Sequence, residues 1–188
     1  MSRNLRHLYQ IKISLAGVKP PIWRRLTISS STDLSELHEI IQIAMGWTDT
    51  HLHQFVVGRE RFGVPDPDFE DGTTPEEGVR IGSLLTKEKQ WITYEYDFGD
   101  GWEHRITLEK ILPYESGQAL PKCLAGRRSC PPEDVGGVWG YQEFLEAYQD
   151  KNHPDHERMV EWVGEYFDPE QFDVAEVNRI LSDTERTL

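Results

Sequence analysis

Residues 94–109 read YEYDFGDGWEHRITLE, and within eight positions they hold two aspartates and an imidazole: Asp97, Asp100 and His104. Such groups, when brought together, can transfer protons or hold a metal ion. A second set lies in HLHQF, where His51 and His53 stand two apart. On a strand, that spacing sends both rings to one face and can present two nitrogens to a metal. The third set is CLAGRRSCPPEDVGG, with Cys123, Cys130, Glu133 and Asp134. Folded onto the first two, it would complete a site for a divalent ion such as zinc. The metal candidates are therefore His51, His53, His104, Cys123 and Cys130. The candidates for catalysis are Asp97, Asp100, His104, Glu133 and Asp134. Nothing points to an organic cofactor.

Each group also has a plainer reading. His104 shares its strand face with Trp102, Ile106 and Leu108, so it points into the core and needs a partner, which Asp97 or Asp100 could supply. Asp100-Gly101 suits a tight turn. The two cysteines are separated by six residues, against about two to four in a zinc knuckle. Glu133 and Asp134 follow Pro131-Pro132 and could cap the helix that begins near Trp139.

The elements that must position these groups follow from hydrophobic period. LYQIKISL alternates Tyr9, Ile11, Ile13 and Leu15 on one face, and IWRRLTI resumes the alternation after Pro20-Pro21. The two form an antiparallel hairpin. Asp33 and Glu36 have capping-box spacing ahead of Leu34, Leu37, Ile41 and Ala44, and Gly46 stops that helix. After a turn at Thr48-Asp49, residues 51–57 read as a strand. Residues 59–80 read as a long acidic loop, with a short helix at 81–85 closing it. The runs Trp91–Phe98 and Trp102–Ile111 form the second hairpin. Residues 112–137 show no period and read as an irregular connection. Helices follow from Trp139, after the Asn152-His153-Pro154 break, and from about Asp173. Strands come first and helices last, which predicts α+β: a largely antiparallel sheet from the N-terminal two-thirds, helices on one face, a helical C-terminal part, and a single domain over 1–188.

The formal net charge of −13 repels phosphate backbones. Direct nucleic-acid contact would need a local patch at Arg24, Arg25, Arg127 and Arg128. No apolar run approaches the roughly 20 residues that cross a bilayer, and the first residues lack the apolar stretch of a signal peptide. The expected location is the cytoplasm, where the two cysteines are free thiols or metal ligands rather than a disulfide.

Together, PPIWRRL, the helix ending in GW with HLHQF behind it, YDFGDGWEHRI and CLAGRRSCPPEDVGGVWGYQEFL resemble the plasmid pRiA4b open-reading-frame-3 family. That family is also labelled an insertion-element passenger, TnpR-like. The resemblance runs from about Tyr9 to Phe172. It implies an α+β fold of bacterial and archaeal proteins, often carried on plasmids and mobile elements. It implies no established activity.

Three functional readings follow. The leading one is a non-enzymatic accessory module with a protein partner, since no nucleotide loop, complete triad or metal quartet is written in the chain. The second is a metal-dependent hydrolase built from the second hairpin and the CPPED loop. The third is a weak nucleic-acid-associated accessory factor acting through Arg24, Arg25, Arg127 and Arg128. Oligomeric state is open in all three. The hydrolase reading requires residues 123–134 to fold against residues 97–104.

Overall fold

The computed structural model describes residues 7–65, 72–115 and 117–184. Eight strands form one sheet: β1 (His7–Leu15), β2 (Trp23–Ser29), β3 (His53–Val57), β4 (Glu60–Gly63), β5 (Thr74–Pro75), β6 (Trp91–Tyr96), β7 (Trp102–Pro113) and β8 (Lys122–Arg127). Their spatial order is β5-β4-β3-β6-β7-β1-β2-β8. Every pairing is antiparallel except β4 with β5. The described residues also hold five helices: α1 (Leu34–Met45), α2 (Ile81–Leu84), α3 (Gly137–Gln149), α4 (His156–Val163) and α5 (Val174–Thr184). The fold is α+β.

One face of the sheet makes the core. Tyr9, Ile11, Ile13 and Leu15 of β1 point inward beside Leu26 and Ile28 of β2. Ile92, Tyr94 and Tyr96 of β6 lie beside Trp102, Ile106 and Leu108 of β7. The buried stripe of α1, including Leu34, Leu37, Ile41 and Ala44, packs there. Capping holds that helix in place. The Asp33 carboxylate accepts the Glu36 backbone N–H at 3.0 Å, a contact worth about 0.5–2 kcal/mol. Gly46 ends the helix in the left-handed region at φ 95°, where glycine carries no Cβ penalty. The opposite sheet face is polar. Arg25 bridges Glu109 there at 2.7 Å, and Arg105 lies 4.4 Å from the Trp91 ring centroid.

Two stretches differ from the sequence expectation. Residues 112–137 contain β8, which pairs with β2 at the sheet edge through Leu26 and Cys123. Its Gly126 has the Phe172 ring where a side chain would stand, so the strand reads as aperiodic although its backbone is laddered. The acidic stretch likewise holds β4 and β5, which extend the sheet beyond β3. Four and two residues are too short to show a period. Among the described residues, no helix is long and apolar enough to cross a membrane.

Candidate functional site

The site is assembled at one end of β3, β6 and β7. His51 lies two residues before β3, in a bend rather than in the strand as expected. The Asp97 N–H donates to the Leu52 carbonyl at 2.9 Å, which fixes the β6–β7 turn next to His51. Asp97 Oδ1 accepts from the N–H groups of Gly99 and Asp100, at 3.0 and 3.3 Å. Its Oδ2 is left facing His51 Nε2 at 3.7 Å.

The CPPED loop closes over this turn. Trp47 Nε1 donates to the Pro131 carbonyl at 3.0 Å, and the Gly136 N–H donates to Asp100 Oδ2 at 3.0 Å. Gly137 explains why the approach can be so close. Its φ is +68°, and a Cβ there would stand 2.3 Å from the Asp100 carbonyl oxygen. The loop delivers Glu133 and Asp134. Glu133 Oε1 accepts from the Thr48 N–H at 2.9 Å and from the Tyr96 hydroxyl at 3.1 Å, while its Oε2 lies 3.8 Å from His51 Nε2. Asp134 Oδ1 lies 3.1 Å from the same nitrogen.

Three carboxylates therefore surround one imidazole nitrogen. That nitrogen is buried, yet among the described residues no acceptor meets hydrogen-bonding geometry with it. The 3.1 Å separation from Asp134 is an ionic approach at a poor angle rather than a hydrogen bond. Ligands on a tetrahedral ion with bonds near 2.0–2.2 Å stand roughly 3.3–3.6 Å apart, and 3.1, 3.7 and 3.8 Å bracket that spacing. Backbone strain collects here too. Among the described residues, Asp49, Asp97 and Asp134 are three of five non-glycine residues with positive φ. Aspartate tolerates that region better than most residues, and such strain clusters at functional sites.

A second polar group adjoins the first. The Gln42 amide N–H donates to the Tyr94 oxygen at 3.0 Å, and Tyr94 pairs with His38 Nδ1 at 2.8 Å. His38 Nε2 pairs with Asp49 Oδ1 at 2.9 Å, and the Asp49 N–H returns to Gln42 Oε1 at 3.0 Å. This ring closes only if Tyr94 donates to Nδ1 and the Nε2–H donates to Asp49. Burial holds the His38 pKa below the usual imidazole range and raises that of the Tyr94 hydroxyl, so both are neutral. His53 stacks on His38, with ring centroids 3.5 Å apart and planes within 5°, and its Nε2 pairs with Glu76 at 2.9 Å. His38, Asp49 and His53 present nitrogens and oxygens within 4.8 Å of one another. The ring nevertheless makes His38 Nε2 a proton donor, and the parallel imidazoles cannot converge on one ion. His38 orients Asp49 instead.

The sequence-predicted residues thus separate. His51, Asp97, Glu133 and Asp134 meet, and Asp100 anchors the loop. His53 belongs to the second group, so the two strand histidines do not form a metal pair. His104 is fully buried in the core, where Nδ1 lies 3.3 Å from the Tyr94 carbonyl, and neither Asp97 nor Asp100 is its partner. Burial pulls its pKa down to about 4. Cys123 and Cys130 are free thiols placed beside buried Arg24, and neither joins the histidine clusters. Burial raises both thiol pKa values, which disfavours the thiolate that metal binding needs. Of the proposed basic patch, Arg24 is buried, Arg25 is paired with Glu109, and Arg128 is paired with Glu170.

Sequence reasoning missed His38, Asp49, Glu76, Tyr94 and Tyr96. His38 sits within the apolar stripe of α1, and Asp49 reads as a turn residue. Glu76 is one of many acids in its stretch. Only Tyr94 and Tyr96, flanking the recognised hairpin on its inward face, carried a signal.

A family model described as plasmid pRiA4b ORF-3-like protein matches residues 7–176. The chain belongs to that family. Among its relatives is the uncharacterised protein y4hQ of Sinorhizobium fredii, 40% identical over 177 residues, covering 93% of this chain and 90% of the relative. Among solved structures, the crystal structure of a protein of unknown function, MM3350 from Methanosarcina mazei Go1, is similar. It has a TM-score of 0.83 and 37% identity, covering 92% of this chain and 98% of that one. The matched range includes the segments YDFGDGWEHRI and CLAGRRSCPPEDVGG, which carry Asp97, Glu133 and Asp134.

Proposed function

We propose that the protein is a divalent-metal-dependent hydrolase whose ion is held by His51, Asp97 and Asp134, with Glu133 beside it. One observation carries this reading: a buried imidazole nitrogen without a hydrogen-bond partner, ringed by three carboxylates at ligand spacing. A proton on that nitrogen could satisfy one carboxylate, whereas a divalent ion serves all of them. Three protein ligands leave a coordination position open for water, and an ion there would bring the ionisation of that water towards neutral pH. Glu133 is suited to accept the proton, since Thr48 and Tyr96 fix the carboxylate through Oε1, and Oε2, 3.3 Å from the Tyr96 hydroxyl, faces His51.

The test is elemental analysis of tag-free protein incubated with zinc or manganese and then desalted. The expected result is about one ion per chain, lost in His51→Ala and Asp97→Asn and retained in Cys130→Ser. The loaded protein is expected to turn over a member of a chromogenic ester, phosphoester and peptide panel, with Glu133→Gln lowering the rate about 100-fold or more. Wild-type protein that retains no ion would overturn the reading. The accessory-module reading would then stand, with Trp139, Trp162 and Tyr166 as its exposed aromatic surface.

A further inference from the structure

The two polar groups open on one cavity of about 240 Å³, whose lining includes Asp49, His51 and His53. Leu52, Val64 and Phe98 also line it, and all three are more than half exposed. Isolated exposed apolar side chains are ordinary, but three around one small opening make an apolar rim. Among the described residues, no lysine or arginine lines the cavity. Asp49 is the one acid in its lining among the described residues. Asp49 has one oxygen held by His38, and its other oxygen takes no partner among the described residues. Asp97, Glu133 and Asp134 lie against His51, and Glu76 lies against His53.

From this we infer that the cavity binds a cationic amine carried on an apolar stem, with Asp49 as its counter-ion and Leu52, Val64 and Phe98 around the stem. The inference names the substrate class of the site proposed above and rests on that reading for its consequence. Asp49 is a binding residue here, and His38, Tyr94 and Gln42 are positioning residues. Their closed ring fixes the carboxylate before any ligand arrives, so little ordering is left to occur on binding. A divalent ion among three carboxylates leaves an excess of negative charge, so a cation remains the complementary ligand when the centre is filled.

Calorimetric titration of full-length protein with hexylamine, hexanol, hexanoate and methylamine at neutral pH tests this. Hexylamine is expected to bind at least about tenfold tighter than hexanol, because a charge-assisted hydrogen bond is added, and at least about tenfold tighter than methylamine, because the stem is buried. Hexanoate is expected not to bind. Asp49→Asn, which keeps the backbone N–H and tolerates positive φ, should remove the preference for amine over alcohol. Phe98→Ser, on an exposed turn, should remove much of the preference for hexylamine over methylamine. Hexanol or hexanoate binding as tightly as hexylamine, or an unchanged preference in Asp49→Asn, would overturn the inference. Ion content measured on the same samples separates the two readings: amine selectivity without a bound ion supports this cavity and sinks the hydrolase.

Discussion

Two clusters of polar residues gather near the sheet, and they differ in how far their atoms are satisfied. Around Arg24, both Nε and Nη1 have carbonyl partners. Its Nε donates to the Ala44 carbonyl at 2.7 Å, and Nη1 donates to the carbonyls of Trp23 and Arg127 at 2.9 and 3.0 Å. The Phe172 ring covers the guanidinium at 3.9 Å. Around His51, the central nitrogen has no hydrogen-bond partner, three carboxylates crowd it, and a cavity opens beside it. A polar group that is buried and saturated specifies a fold, because removing it strands its partners. A centre where several carboxylates crowd one imidazole costs stability unless a ligand compensates their charge. Both clusters lie within the residues that the family model matches, so that match does not separate structural from chemical residues. Crowding by carboxylates does: His104 Nε2 is also buried without a hydrogen-bond partner, but only His51, among the described residues, is faced by three carboxylates.

The sharpest break of this contrast is Arg24→Ala. It strands the Ala44 and Arg127 carbonyls and uncovers Phe172, so a loss of about 3–5 kcal/mol is expected in urea unfolding. A loss below 1 kcal/mol would show that the Arg24 cluster is not a structural centre.

Acid should act through His104, buried in the same core. Its native pKa of about 4 lies below the ordinary 6.5. Between those values the unfolded chain takes up a proton that the native protein refuses, so stability is retained above pH 6.5 and falls as pH drops towards 4. The full contribution is about 3 kcal/mol. Unfolding midpoints of wild type and His104→Leu, compared at pH 7 and 4.5, should show a markedly flatter dependence in the variant. Equal slopes would contradict the buried neutral imidazole.

The smallest stability change belongs to the other cluster. Metal-free His51→Ala should stay within about 1 kcal/mol of wild type, since its Nε2 has no hydrogen bond to lose. A loss of 3 kcal/mol there would make the site as structural as Arg24 and erase the contrast.

Much of the architecture was legible from local pattern. The period-two runs of β1, β2, β6 and β7 and the Asp33 and Gly46 caps of α1 each depend on neighbours along the chain. The same logic held a warning about Arg24: the alternation that sends Leu26 and Ile28 inward sends Arg24 inward as well, which conflicts with a surface basic patch. β8 was illegible because its packing partner at Gly126 is Phe172, far along the chain. Of the site, the sequence supplied His51, Asp97, Glu133 and Asp134 as types, but it grouped them with His104 and both cysteines, which the fold sends elsewhere.

By itself, then, the sequence determined the α+β class, the two hairpins, the helix caps and the segments rich in ionisable groups, because hydrophobic period and turn chemistry act over a few residues. The tertiary structure alone decided which of those groups meet. Gly137 lets the CPPED loop rest on the Asp100 backbone, and Thr48 and Tyr96 aim Glu133 at His51. Such contacts join residues tens of positions apart, and no local propensity encodes which carboxylate will end beside which imidazole.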